Sequence, residues 1–423
     1  MTSFSWQEKL IDVDLLFENI NSIRRVEGDR VSFEAFSKRY FDAMLFSALK
    51  PSSPLNSKVL EYCVKYAFSQ INNGAVLKKE IFLDFCKTGL REYNNLPIVE
   101  YILVTSITSD IVLPFKSFTV RGCKITFNSM GGKSFRSKAI PARENLQMSS
   151  KNVVLKSDKL KPYYCYVKVK ARKVPEAFES GIEALNIIRG IINLCINNGR
   201  GQTLNFGQAP EPFNTLRLGP LHTIHLSDGT IPMGLFWYEP HYSELNHFSK
   251  LKPTQNSSLK KKVTRTLKAV AKSQIKQEAE TAILNYVNAL DGSQIGQAFR
   301  DLWSTLEIAT QASQLNNTDK SIERASNAFK NKKLAVQVLK HLRFRRNRMV
   351  HQLFTESDPD TLLLQLHEYL VPTLFRLLFN VSNAKTSDEF GQLLEVPQNS
   401  AHISAKLKIL NDAKKYYSMK NLK

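Results

Sequence analysis

Apolar residues recur at three- and four-residue spacing through 33–48, 59–71 and 77–93, which predicts amphipathic helices over the first 95 residues. Turn signals, Pro51-Ser52-Ser53-Pro54 and Asn72-Asn73-Gly74, separate them. From about residue 100 the period falls to two, and 101–104, 117–120, 124–127 and 163–169 read as strands. The intervening tract, 128–160, is rich in Ser, Lys and Asn and reads as loop. A helix is predicted over 175–197, opened by Pro175 and stopped by Asn197-Asn198-Gly199. Strands at 222–226 and 232–238 follow, joined through the hairpin cue Asp228-Gly229.

The stretch 249–258, with Pro253 and Ser257-Ser258, reads as a linker, and everything after it has helical periodicity. One long pattern covers 259–290 and ends at Asp291-Gly292. The next helix carries Phe299, Leu302, Trp303, Leu306 and Ala309 on one face. Another is expected over 332–354. A last core helix starts at Asp358-Pro359 and runs through Leu362, Leu366 and Leu370, past a kink at Pro372, to Leu374 and Leu378. The fold class is therefore α+β: a mixed helical and β N-terminal region followed by an all-α bundle. The expected regions are 1–95, 96–250 and 259–423, the first two forming either one domain or two.

Composition narrows the function classes. At 423 residues and 43% hydrophobic, the chain can bury more than one core. The N-terminus lacks a basic stretch followed by an apolar one, and no run approaches 18 apolar residues, so a soluble cytoplasmic protein with no membrane partner is expected. Cys63, Cys86, Cys123, Cys165 and Cys195 are widely spaced, which suggests free core thiols and neither a zinc site nor a disulfide framework. Net charge is +21, unevenly spread: 260–276 holds seven basic residues and no acidic one, and 321–350 holds nine against the single Glu323. Either stretch is a solvated helix face or a surface for a polyanion such as nucleic acid.

Inside the second cluster stands Arg346-Asn347-Arg348-Met349-Val350-His351. Arginine can stabilise a phosphorane, histidine can move a proton near neutral pH, and asparagine can orient either one, none of which needs a metal. An Arg four to six residues before a His is expected roughly once by chance in such a composition, and Arg217-Leu218-Gly219-Pro220-Leu221-His222 is such a copy. That copy has no Asn after its Arg, and Gly219-Pro220 forbids a regular helix. Projected at about 100° per residue, the motif helix aligns Val338, Leu342, Met349 and Leu353 in one apolar stripe. Arg346 falls at its edge, whereas Asn347 and His351 share the opposite side, and His351 is separated from Arg346 by about 140°. The two groups therefore need a distorted helix end or a site composed from two subunits. The plainer alternative has His351 bonding the free carbonyls of a last helical turn, with solvated arginines around it.

The motif resembles the signature of HEPN-domain ribonucleases, in which Arg is followed after four to six residues by His, often with Asn directly after the Arg. Together with Phe299-Arg300-Asp301-Leu302-Trp303-Ser304-Thr305-Leu306-Glu307, it resembles the ApeA-like HEPN proteins of bacterial antiviral defence over about a third of the chain. The resemblance implies a HEPN-like bundle that homodimerises and cleaves RNA without metal or other cofactor. It assigns His351 as general acid or base, Arg346 to the phosphorane charge, Asn347 to orientation, and Arg343, Arg345 and Arg348 to the RNA backbone. By analogy, the chain would be a toxin-like effector of abortive infection, with 1–250 as sensor or regulator answering a phage-derived trigger. The alternative is a non-catalytic RNA-binding or protein-interaction module, and a third reading is a toxin held inactive by its N-terminal half.

Other motifs weigh less. Gly132-Lys133-Ser134 evokes a phosphate loop, but Phe127 stands where its first glycine belongs, and Pro141 follows without helical periodicity. His222, His225, His241 and His247 cluster in sequence, yet the first two point to opposite faces of a strand. Phe236-Trp237-Tyr238 suits a sheet core better than a base-stacking surface. Glu307, one turn after Trp303, is either a partner for Arg346 or an ordinary surface carboxylate.

Overall fold

The computed structural model describes the chain except residues 1–2, 8–10, 28–29, 54, 71–76, 109–112, 128–132, 150–162, 198–212, 240–241, 243–252, 313–317, 352–358, 397–398 and 421–423. The protein is mixed α+β; among the described residues its strands lie between residues 4 and 238, and the elements after them are helices. It divides into two compact units: residues 1–102 with 168–180, and residues 103–167 with 181–423. The expected regions 96–250 and 259–423 thus lie mostly together in the second unit.

In the first unit the predicted helices form as Ala35–Ala48, Ser57–Ser69 and Lys79–Asn95, joined by a further helix, Val13–Ser22. Their apolar faces supply Leu16, Phe17, Ile20, Val64, Phe82 and Leu90 to one core. Phe82 is its hub, in edge contact with Phe17 and stacked on Trp6. The all-helical expectation for 1–95 needs correction. Phe4–Trp6 pairs with Leu49–Pro51, and Arg24–Glu27 pairs with Arg30–Phe33, both antiparallel. Strands of three or four residues are too short to establish a period.

The larger sheet has the strand order Phe236–Tyr238, Leu221–His225, Val99–Thr108, Tyr163–Ala171, Cys123–Phe127, Ser117–Val120, with Arg217–Leu218 also pairing Val99–Thr108. The last two strands form a tight hairpin in which Arg121 and Gly122 both take positive φ, 49° and 75°. The Asp228-Gly229 turn forms as expected, with Leu226 N donating to Thr230 O at 2.8 Å. The ladder resumes only at residue 236, opposite Thr223.

Three expectations for the second unit are overturned. Part of the loop expected at 128–160 is a helix, Lys133–Ser149, running through Pro141. Its buried face consists of Phe135, Ala139 and Arg143, and an arginine in that row hides the amphipathic signal. The linker expected to reach residue 258 ends sooner, because Pro253 opens the helix Pro253–Lys272. The pattern read as continuous over 259–290 is two helices, the second being Lys276–Ala289. They part where Ser273 Oγ accepts from Ile275 N at 3.3 Å, a local competitor of the helical ladder. The helix Pro359–Phe379 passes Pro372 without interruption. It is long and apolar enough to cross a membrane, but Leu362, Leu363, Leu366, Leu370, Leu374, Leu377 and Leu378 are buried in the unit. Helices absent from the expectation also form at Thr318–Ser326, Ser387–Glu395 and Ser400–Lys420.

Two contacts tie the helix Val174–Asn197 to Lys276–Ala289 and the turn after it. A methyl group on Gly190 would meet Ile283 Cγ2 at 2.6 Å, so only hydrogen fits there. Beside it, Arg189 forms a buried bidentate pair with Asp291, Nη1 to Oδ1 at 2.7 Å and Nη2 to Oδ2 at 2.6 Å. Asn214 Nδ2 adds a bond to the same carboxylate at 2.8 Å, and Arg189 Nη1 also reaches Leu216 O at 3.1 Å.

All five cysteines are free and buried. Burial pushes the Cys63 thiol up to about 12 and those of Cys123 and Cys195 to about 11, and raises Cys86 and Cys165 as well.

Candidate functional site

The motif lies at the end of the helix Lys332–His351. Strong helix formers and the absence of Gly or Pro let the helix run its full length. Its buried residues are Ala335, Leu339, Leu342 and Met349, at spacings of four, three and seven. Arg346 fills the gap in that series, four after Leu342 and three before Met349. It therefore sits in the middle of the buried stripe rather than at the edge; Ala335 and Leu339 shift the stripe toward it, and Val338 is only half-buried. Leu353 lies outside the described residues.

A guanidinium in this position is half-buried, and among the described residues its Nε–H has no hydrogen-bond partner although it is shielded from water. Such a donor costs free energy until an acceptor arrives. Arg346 Nη1 donates to Asn347 Oδ1 at 3.1 Å, so the exposed Asn347 steadies the arginine directly. The side chain of His351 lies outside the described residues; helix position 351 remains about 140° from Arg346. Within one straight helix the two groups do not meet.

The flanking arginines divide. Arg343 is committed to Asp319 in an ion pair. Arg348 lays its guanidinium over the Phe344 ring, 5.8 Å from the centroid. Arg345 is half-buried on the neighbouring flank. Glu307 accepts from the Trp303 indole Nε1 at 2.9 Å, and among the described residues no ion pair joins it to Arg346.

One residue that sequence reasoning did not assign to the site is Arg300. A methyl group on Gly296 would touch Met349 Cε at 3.8 Å, which brings the start of the helix Ile295–Ala309 against the end of the motif helix. Arg300 lies one turn on from Gly296, and Arg346 one turn back from Met349. Arg300 also carries a buried Nε–H without a partner among the described residues, while its Nη2 bonds Gln297 Oε1. The available signal was its spacing from Phe299 and Trp303, which places it beside the buried face.

The buried histidines His222, His225 and His367 have structural partners. His222 is buried, with Nδ1 2.7 Å from Thr105 Oγ1 and Nε2 3.5 Å from Glu239. His225, also buried, bonds Thr223 Oγ1 at 2.8 Å and Gly229 O at 2.9 Å. His241 and His247 lie outside the described residues, as does Gly132 of the phosphate-loop motif. Among the described residues, no group of three or more His, Cys, Asp or Glu side chains could hold a metal ion. Phe236, Trp237 and Tyr238 form a half-buried strand.

His367 is buried between Phe213 and Tyr286, whose hydroxyl lies 2.9 Å from its Nε2. Burial pulls its pKa down to about 4, and it also lowers those of His222 and His225. The unfolded chain takes up a proton near 6.5 that the native state refuses until about 4, so stability is complete above 6.5 and is lost as pH falls toward 4. Urea midpoints at pH 7 and pH 5 should differ, with His367 accounting for about 2 kcal/mol. His367→Gln should remove that share of the pH dependence, whatever it does to stability at pH 7. An unchanged pH dependence would show that His367 titrates normally.

In class terms, the fold is that of an α+β protein with a basic helical half, in which one arginine of the motif helix is half-buried. Beyond that class, no family model matches the chain, and no curated protein or solved structure matches it either.

Proposed function

We propose that the chain is a metal-independent endoribonuclease of the HEPN type. The observation that carries this reading is Arg346: an arginine in a buried stripe, held at one nitrogen by Asn347 and with its Nε–H unsatisfied among the described residues, inside a segment of nine basic residues and one acidic. A phosphate oxygen is the acceptor such a donor fits, and Arg300 offers a second donor of the same kind. In the reaction, the 2′-oxygen of a ribose bonds to the adjacent phosphorus while the bond to the 5′-oxygen breaks. The products are a 2′,3′-cyclic phosphate and a 5′-hydroxyl. His351 performs one of the two proton transfers and Arg346 stabilises the charge on the phosphorane. The 2′-hydroxyl restricts the site to RNA.

Because positions 346 and 351 diverge on one helix, the working site draws Arg346 and Asn347 from one copy and His351 from a second, which makes the protein a homodimer. The biological role that fits is a defence effector, with residues 1–250 holding or releasing the nuclease in response to a phage-derived signal. The second reading is an RNA-binding module without turnover.

The test is incubation of purified protein with RNA in excess EDTA, followed by analysis of product ends. Cyclic phosphate and 5′-hydroxyl ends are expected. Intact RNA from both the full chain and a chain lacking 1–250, with binding retained, would favour the binding module.

A further inference from the structure

The motif helix carries one large aromatic side chain where a core cannot use it. Phe344 is 59% exposed. Its neighbours on the same flank are the exposed Lys340 and His341 and the half-buried Arg345 and Arg348, and no acidic residue occurs between Glu323 and Glu356. A helix needs no exposed phenylalanine for its own stability, and more than half of this side chain stays in water. Arg348 at 5.8 Å lies over the ring, leaving a flat surface flanked by cations.

Helical geometry relates this ring to the motif. Seven residues separate position 344 from position 351, two turns or about 10 Å along the axis, and the two positions fall within about 20° of one another. Asn347 lies between them on the same side. Phe344 is therefore in line with the proposed proton-transfer residue and a few nucleotides' reach from it.

We infer that Phe344 is a stacking platform for an unpaired nucleobase, and that it makes single-stranded RNA the substrate of the site described above. The inference rests on the ribonuclease reading. In an A-form duplex both faces of each base are covered, so an exposed ring can stack only on a base already out of a helix. Stacking on a phenyl face does not distinguish one base from another, so the subsite selects for strandedness and tolerates sequence. The cations Lys340, Arg345 and Arg348 complement the phosphates on either side of the stacked base.

The experiment compares the parent chain with Phe344→Leu and Phe344→Trp, using a single-stranded oligoribonucleotide containing 2-aminopurine and a duplex of the same sequence, in EDTA. The parent should quench the probe's fluorescence and bind the single strand; Phe344→Leu should lose the quench and bind it about tenfold more weakly, with duplex binding unchanged. Phe344→Trp should retain both. If Phe344→Leu binds and quenches as the parent does, the platform is refuted while the ribonuclease reading stands. Sedimentation of the variants supplies the other decision: a shift to monomer with single-strand affinity unchanged would assign the ring to a second copy and refute the inference. A parent that neither binds nor cleaves RNA overturns both readings.

Discussion

Equal mixing of Arg346→Ala and His351→Ala proteins is expected to restore RNA cleavage to about a quarter of the parent rate, although each variant alone is nearly inert. Removing a donor aimed at the phosphorane should lower turnover by about 10²–10³, and removing a proton-transfer group by about 10²–10⁴. In a site composed from two copies, a mixed dimer pairs the intact Arg346 of one variant with the intact His351 of the other and leaves the second site doubly defective. Random exchange makes half the dimers mixed, and each holds one working site of two. A site contained within one chain predicts no recovery at all, so the mixing experiment separates the two geometries directly. Arg346→Lys should recover little, because a point charge does not reproduce the planar fork held by Asn347.

The second large effect concerns stability. Arg189→Met should destabilise the protein by about 3–5 kcal/mol, because it leaves Asp291 charged, buried and deprived of its bidentate partner. Asp291→Leu alone should cost a similar amount for the opposite reason. The double substitution should recover most of the loss, since two apolar side chains of similar volume need no pairing. Urea denaturation of the four proteins closes the cycle. Single variants that lose less than about 1 kcal/mol would show that the pair is solvated and structurally dispensable.

These two sites show what the sequence could and could not disclose. The motif helix was legible because its apolar spacing, its arginines and its Asn-containing motif fall within twenty consecutive residues. The exact course of its buried stripe was not: Leu339 and Ala335 decide it, and only packing reveals that the core lies on their side. Arg189 and Asp291 are 102 residues apart, and an arginine inside an apolar helix gives no sign of which carboxylate will meet it. The helix Lys133–Ser149 was missed for a related reason. Arg143 is buried in it by donating to Leu221 O at 2.7 Å, so a polar residue stands where the pattern requires an apolar one. Local periodicity reports helices whose buried face is apolar, and it fails where burial depends on a partner distant in sequence.

The buried cysteines carry a consequence for chemistry at sulfur. Peroxides and disulfides such as oxidised glutathione are attacked by thiolate, and burial suppresses that form at every one of the five positions. In the folded chain these five thiols are therefore poor partners for disulfide exchange, and unfolding is what would open them to it.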